Sequence, residues 1–181
     1  MTLPFKSANV SDYVEFGNYS QSSNGDIQPI EWQVLAIEEN KILVISKYCL
    51  EARRFDTTSN NWKNSEIRQW LNNDFYNKSF NEKDKKHITS FEGDNIFLLS
   101  LEEANKYFAN NKARKCKATE YAVNNGAYVD SNGCSYWWLR TPSSNPNYTD
   151  IVFFVYRHGS FGNRYVYINK YVVRPSLWIN L

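Results

Sequence analysis

Alternating apolar and polar residues near the start of the chain predict β-strands. Strand patterns occupy residues 13–17, 30–37 and 41–45, each with the two-residue period of a half-buried strand. Only three polar residues, 38–40, separate the last two patterns. The N-terminal quarter is therefore predicted to contain a tight antiparallel hairpin.

Helical spacing replaces this alternation in the middle of the chain. The apolar residues that recur at intervals of three or four positions are Ile67, Trp70, Leu71 and Phe75. A second helix is predicted to start at Asn81, and a short strand is predicted at 96–99. The Ser100 hydroxyl and the Glu103 carboxylate match a capping box, which predicts a helix to about Phe108. A further short helix is predicted over 118–124.

The last third returns to strand patterns separated by turns. Strands are predicted at 135–140, 151–156, 165–168 and 171–181. Strands, then helices, then strands indicate an α+β fold with a mostly antiparallel sheet and flanking helices. The 181 residues match the usual size of one domain, so residues 1–181 are predicted to fold as a single unit.

Composition narrows the range of functions. Aromatic residues make up 17% of the chain and the net charge is only +2, which excludes a disordered protein and argues against nucleic-acid binding. The basic run at 112–117 is interpreted as a solvated helix end. Neither a membrane-spanning stretch nor a signal peptide is recognisable, so we expect no membrane insertion. A place on a phage particle or a cell surface would require a larger assembly.

Candidate catalytic and metal-binding chemistry is sparse. Cys49, Cys116 and Cys134 lack the spacing of zinc ligands and are interpreted as buried reduced thiols, although a Cys49–Cys134 disulfide stays open. His87 lies in a lysine-rich helix and His158 in a glycine-containing turn, and neither context predicts an activated base. We therefore expect no enzyme activity, no metal and no cofactor.

Several stretches resemble a bacterial and phage family of domains of unknown function. They are 14–17 (VEFG), 29–32 (PIEW), 45–48 (ISKY), 67–75 (IRQWLNNDF), 96–100 (IFLLS), 103–104 (EA), 136–142 (YWWLRTP) and 173–179 (VRPSLWI). The resemblance implies a C-type-lectin-like fold related to the formylglycine-generating enzymes. Several members of that broad fold are variable proteins of diversity-generating retroelements, in which mutation at adenines rewrites a C-terminal ligand-binding region.

The composition of residues 143–171 agrees with that implication. Asparagine codons randomised at both adenines cannot encode Trp, Met, Glu, Gln or Lys. Only Lys170 belongs to this set among the 29 residues of the window, against 34 of the other 152 residues. A terminal β-meander is also naturally poor in Lys and Glu, which is the plainer explanation.

The window is rich in tyrosine, asparagine and arginine, the mixture typical of antibody-like binding surfaces. The predicted ligand-binding residues are Asn147, Tyr148, Asp150, Phe154, Tyr156, Arg157, His158, Phe161, Asn163, Arg164, Tyr165, Tyr167, Asn169 and Tyr171. The expected partner is a protein or a cell-surface glycan. The residues assigned to the scaffold are Trp137, Trp138, Arg140, Arg174, Pro175 and Trp178.

Two alternatives remain open from the sequence. One is an enzyme of the formylglycine-generating type, which uses a paired-cysteine copper site. The three cysteines here do not have the matching C-terminal spacing. The other is a carbohydrate-binding lectin without diversification. A calcium-dependent form of it would need a Glu-Pro-Asn or Gln-Pro-Asp signature. Ser144-Asn145-Pro146 resembles these signatures only weakly.

Overall fold

The computed structural model describes residues 4–181 and contains two five-stranded sheets. The strands are β1 (Tyr13–Ser20), β2 (Ile27–Glu38), β3 (Lys41–Ser46), β4 (Glu51–Ala52), β5 (Ile88–Thr89), β6 (Trp137–Pro142), β7 (Ile151–Val155), β8 (Phe161–Tyr165), β9 (Val172–Val173) and β10 (Ser176–Asn180). The helices are α1 (Glu66–Trp70), α2 (Tyr76–Ser79), α3 (Glu82–Lys85), α4 (Leu101–Tyr107), α5 (Asn111–Arg114) and α6 (Glu120–Asn124). Short 3-10 helices cover Pro4–Ser7 and Trp62–Asn64, and a π-helical turn covers Leu71–Phe75.

The first sheet has the strand order β1-β2-β3-β10-β5. The predicted hairpin is confirmed, since β2 pairs with β3 in antiparallel register from Trp32 opposite Ser46 to Glu38 opposite Lys41. The last strand enters between β3 and β5, with Trp178 opposite both Leu43 and Thr89. The beginning and the end of the described chain are thus tied into one sheet.

The second sheet has the order β4-β9-β6-β7-β8 and leaves β8 at its edge. Its pairings are antiparallel except for β6 with β9, which run parallel where Trp137 lies opposite Val172. The predicted α+β class with mostly antiparallel pairing is confirmed.

Two predicted C-terminal strands have different limits. The pattern at 171–181 forms two strands in different sheets, because Pro175 between them has no N–H to continue a ladder. The predicted strand at 165–168 is wrong: β8 ends at Tyr165. The Val166 N–H donates to the Asp150 carbonyl at 2.9 Å, and the Val166 carbonyl accepts from the Phe55 N–H at 2.9 Å, so its hydrogen bonds go to loops.

The predicted strand at 96–99 is also replaced by an extended, buried segment. A single β-bridge joins Phe97 to Ser176 there. The segment lies beside the sheet and fills the core without extending the ladder.

The helix starts predicted at Asn81 and Ser100 are confirmed by their caps, and Ser65, for which no cap was predicted, caps the helix that contains Ile67. The Ser65 hydroxyl accepts from the Arg68 N–H, and capping boxes join Asn81 to Asp84 and Ser100 to Glu103. These local bonds satisfy amide groups that have no partner within a helix. Caps of this kind depend on neighbouring residues only, which is why the sequence signals succeed.

Buried aromatic side chains hold the two sheets and the helices together. Trp137 and Trp138 are fully buried, and their indole N–H groups donate to the carbonyls of Arg114 and Arg53 at 3.0 and 2.8 Å. Five of the six residues assigned to the scaffold are buried, namely Trp137, Trp138, Arg174, Pro175 and Trp178. All three cysteines are buried and free, as predicted. None of the helices over residues 4–181 has the length and apolar character needed to cross a membrane.

Candidate functional site: a tyrosine groove

A shallow groove of about 200 Å³ opens at the second sheet. Its walls are formed by Tyr128, Tyr136, Arg164, Ile168, Lys170 and Tyr171. Four of these positions lie in the last third of the window singled out from the sequence, and two lie before it. The groove therefore combines the predicted region with tyrosines from a preceding segment.

The register of two strands creates the floor of the groove. The Val172 N–H donates to the Tyr136 carbonyl at 2.8 Å, where β9 runs parallel to β6. Tyr136 and Tyr171 immediately precede these strands and so come side by side. Their rings stack with centroids 4.8 Å apart and planes only 7° apart. Trp138 packs against Tyr171 from below at 4.9 Å, which fixes the stacked pair on the core.

One wall of the groove is formed by Tyr128. Its ring lies 5.6 Å from that of Tyr136, and the Ser135 hydroxyl donates to the Tyr128 carbonyl at 2.6 Å. Its backbone N–H donates to the Lys170 carbonyl at 3.0 Å. The Tyr128 side chain is 48% exposed, so its ring is held in place while one side faces solvent.

Cations surround these rings. The Arg157 Nη1 atom donates to the Tyr128 hydroxyl at 3.3 Å and its guanidinium lies over the same ring. Burial raises the pKa of the Tyr171 phenol, and the nearby charge of Arg164 opposes this only in part. The phenol is therefore neutral at physiological pH. In the described part of the chain, Arg157, Arg164 and Lys170 form no ion pair with a carboxylate.

The turn that contains Gly159, beside the groove, is held in place by Arg114. Arg114 in α5 is buried, so the interpretation of 112–117 as a fully solvated helix end is wrong at this residue. Its Nε donates to the Gly159 carbonyl at 2.8 Å and its guanidinium lies 4.3 Å from the centre of the Phe161 ring. Gly159 has φ +91°, and a side chain there would meet the Asn111 carbonyl oxygen at 1.7 Å. The turn can therefore exist only with glycine at this position.

The predicted site residues do not form one continuous face. Arg164 points into the groove, whereas alternation along β8 directs Asn163 and Tyr165 to the opposite side. Tyr167 stacks on Tyr165 with ring centroids 5.3 Å apart. The edge hairpin of β7 and β8 thus carries predicted residues on both faces, and only one face belongs to the groove.

A second group of predicted residues lies in the loop before β7. Asn147 and Tyr148 are exposed, and Asp150 is half-buried. The Asn60 amide donates to the Tyr148 carbonyl at 2.9 Å, which ties this loop to the segment after β4. Asn169 is exposed in the turn between the groove residues Ile168 and Lys170.

Three further predicted residues are half-buried or buried. Phe154 is 1% exposed and packs against Trp138 and Tyr171, so its prediction as a ligand contact is wrong. The face of β7 that points inward could not be chosen from alternation alone. Tyr156 is half-buried beside Phe154, and Phe161 is half-buried beneath Arg114.

His158 and Ser160 lie close together at the rim. The Ser160 hydroxyl is 2.8 Å from the His158 Nε2 atom, and the imidazole stacks on Tyr156 at 5.0 Å. Within residues 4–181, no carboxylate is hydrogen-bonded to the other ring nitrogen, as a catalytic triad would need. No group of three His, Cys, Asp or Glu side chains that could hold a metal ion is found in the same residues.

Four residues that line the groove are not among the predicted ligand-binding residues, namely Tyr128, Tyr136, Ile168 and Lys170. Tyr136 lies within the strand predicted at 135–140, so its place near the start of a strand was predictable. Its pairing with Tyr171 was not, because it depends on a parallel register between residues far apart in the chain.

Comparison with known proteins identifies a family match. Residues 39–181 match the model of a family described as a domain of unknown function, DUF6273. The match covers the groove and the whole second sheet, and in the first sheet it covers β3, β5 and β10 but not β1 and β2. No curated protein and no solved structure matches the chain significantly.

Proposed function

Since the chain belongs to DUF6273, a family of domains of unknown function, we propose a function from the site itself. The chain is a binding protein, not an enzyme, and its tyrosine groove takes part of a protein or of a cell-surface glycan. The proposed scaffold is a C-type-lectin-like fold. Residues 143–171 supply part of a surface that a retroelement diversifies.

The stacked pair of Tyr136 and Tyr171 is the observation that carries the proposal. Two parallel rings with half-exposed edges make a rigid platform whose hydroxyl groups can hydrogen-bond at little cost in side-chain entropy. Arg164 and Lys170 add cations that no carboxylate of the described chain neutralises. Tyrosine and arginine are enriched among the residues that contribute most of the binding energy in protein interfaces.

The size of the groove indicates how it would be used. Pockets for whole small molecules usually enclose about 300–1,000 Å³. The groove encloses about 200 Å³ and is open to solvent, which suits one sugar ring or one side chain of a larger partner. We therefore expect the groove to act as an anchor point within a wider contact surface.

The pattern of burial within 143–171 supports diversification of this surface. The apolar residues Val152, Val155 and Val166 are fully buried, whereas Asn147, Asn163 and Asn169 are exposed. Changes at exposed asparagine codons would alter the surface and leave the core intact. A coding segment nearly identical to that for 143–171, beside a reverse-transcriptase gene, is the genomic observation expected. Their absence would remove the diversification and leave the binding groove as a separate proposal.

Binding to an array of cell-surface glycans and a panel of surface proteins tests the groove directly. We expect the double variant Arg164→Ser/Lys170→Ser to lose at least tenfold in affinity for any ligand found, at an unchanged melting temperature. The matched control is Tyr165→Ser/Tyr167→Ser, which alters the opposite face of the same hairpin and should bind normally. Loss of binding in the control alone would place the function on that other face. Turnover of a bound glycan or peptide would favour the enzyme alternative.

A further inference from the structure

A second cavity lies away from the tyrosine groove and has a different chemistry. It encloses about 680 Å³ and is lined by Trp62, Lys63, Asn64, Arg68, Glu92 and Asp94. This volume lies within the range of about 300–1,000 Å³ typical of small-molecule sites. The lining residues come from the Trp62–Asn64 turn, from α1 and from a tight turn at 91–94.

A buried carboxylate forms the rigid base of this cavity. Asp94 is 3% exposed, accepts from the Trp62 Nε1 atom at 2.8 Å and forms an ion pair with the Arg68 Nε atom at 2.5 Å. Asn72 in the π-helical turn accepts from the N–H groups of Asn95 and Ile96, which holds the next residues in place. Arg68 balances the charge of Asp94, so Asp94 itself is not left for a ligand, whereas the Arg68 Nη2 group donates to no described residue.

Two exposed charged side chains at the cavity, Lys63 and Glu92, are held much less firmly than this pair. The Lys63 ammonium forms no ion pair or hydrogen bond with any described residue. The nearest cation to Glu92 is Arg140, with the Glu92 Oε2 atom 3.9 Å from Nη2, and the Glu92 side chain is 70% exposed. Arg140 is already held by Glu103 through both Nη atoms. One free cation and one loosely held anion therefore face the same space.

The backbone at Glu92 gives a second, independent reason to assign it a role. Phe91 and Asp94 exchange backbone hydrogen bonds at 2.8 and 2.9 Å around a two-residue turn. Glu92 has φ +52° and Gly93 has φ +87°, a conformation that strongly favours Asn, Asp or Gly at both positions. A glutamate is strained there, and its weak contact with Arg140 does not compensate. Strained residues of this kind are kept where the side chain itself is needed.

We propose that this cavity binds a free α-amino acid in its zwitterionic form. The ligand carboxylate is held by the Lys63 ammonium and by the Arg68 Nη2 group, which donates no hydrogen bond within the described chain. The ligand ammonium is held by Glu92. The ligand side chain packs against the half-buried Trp62 ring. The site is independent of the tyrosine groove and of its proposed function.

Calorimetric titration of the full chain with each of the twenty free L-amino acids tests the proposal. At least one should bind saturably. Its N-acetyl derivative, which lacks the ammonium charge, and its carboxamide, which lacks the carboxylate, should each bind at least tenfold more weakly. If no amino acid binds at 10 mM, or if either derivative binds as well as the parent, the proposal is wrong.

Matched variants separate ligand contacts from folding. Glu92→Gln and Lys63→Met should each weaken binding at least tenfold without lowering the melting temperature. Glu39→Gln and Lys112→Met change exposed charges elsewhere and should bind like the unmodified chain. Glu92→Gly should raise the melting temperature because glycine fits the turn, and it should still lose binding. Normal binding in both Glu92 variants would overturn the assignment.

Discussion

The tyrosine groove and the cavity at Glu92 are built in opposite ways. The groove is made of rings, such as Tyr136 and Tyr171, that are partly core side chains and partly surface. The cavity is made of charges fixed by a hydrogen-bonded network around the buried Asp94. In the groove, the same rings therefore stabilise the fold and form the proposed binding surface. In the cavity these two roles are divided to a greater extent between residues: Asp94 holds the structure, whereas Lys63 has no described partner and Glu92 has only a distant ion pair with Arg140.

This difference has a consequence for mutagenesis. Removing a ring from the floor of the groove damages the fold and the site together, so only its charged rim can be changed cleanly. At the cavity, the residues proposed to touch ligand can be changed with little structural loss.

Asp94→Ala should cause the largest loss of stability. Without the carboxylate, the Arg68 charge and the Trp62 indole N–H lose their partner in a largely buried site. Removing one member of a buried ion pair typically costs about 3–5 kcal/mol. Urea unfolding measures this. Glu82→Gln, which breaks an exposed pair with Lys85, is the control and should cost no more than about 0.5 kcal/mol. Equal losses in both variants would mean that the network at Asp94 is not structural.

Tyr171→Ala should cost about 2–3 kcal/mol, because the ring packs against Tyr136, Trp138 and Phe154. Tyr171→Phe keeps the ring and should cost less than about 1 kcal/mol. Tyr165→Ala, on the exposed face of the hairpin, should also change little. The three free energies of unfolding can be compared in one urea series. A neutral Tyr171→Ala variant would show that the groove floor is not part of the core.

Acid should weaken the structure beside the cavity before it affects the groove. Burial opposes ionisation of Glu103, but hydrogen bonds from Arg140 and Ser100 outweigh it and hold the Glu103 pKa below its usual value of 4.5. A carboxyl with a lowered pKa stabilises the fold above its usual value, and this stabilisation is lost as the pH falls through the lowered pKa. We expect the melting temperature to fall below about pH 4.5.

The Glu103→Gln variant is the control for this pH dependence. It should be less stable at pH 7 and should show a flatter decline in acid, because the titrating group is gone. Hydrogen exchange can locate the effect, which is expected first in the amides of α4. An unchanged acid profile in the variant would assign the decline to other carboxylates.

Glu92→Gly should produce the smallest change, a gain of about 1 kcal/mol, because glycine adopts the left-handed conformation without strain. Thermal unfolding measures the gain, and Gly93→Ala, which adds strain in the same turn, should shift the melting temperature in the opposite direction. A loss of stability in Glu92→Gly would mean that the contact of Glu92 with Arg140 outweighs the backbone strain.

Local features were predictable from the sequence because their physics is local. The helix starts at Asn81 and Ser100 depend on residues within a few positions, and the β2–β3 hairpin depends on adjacent strands. Tyr165 and Tyr167, two of the predicted ligand-binding residues, are exposed, although the observed strand ends at Tyr165 where the predicted one begins.

The tertiary structure alone decided what those features form together. The parallel register of β6 with β9 brings Tyr136 beside Tyr171. Phe154 is buried because it lies on the face of β7 that packs against the core. The Trp62–Asn64 turn meets the strained turn at Glu92 across nearly thirty residues of chain. Such contacts depend on which strand pairs with which and on which face packs inward, since a shift of one residue exchanges the two faces. The sequence determined the elements and the chemical character of the C-terminal region, and packing decided which side chains share a site.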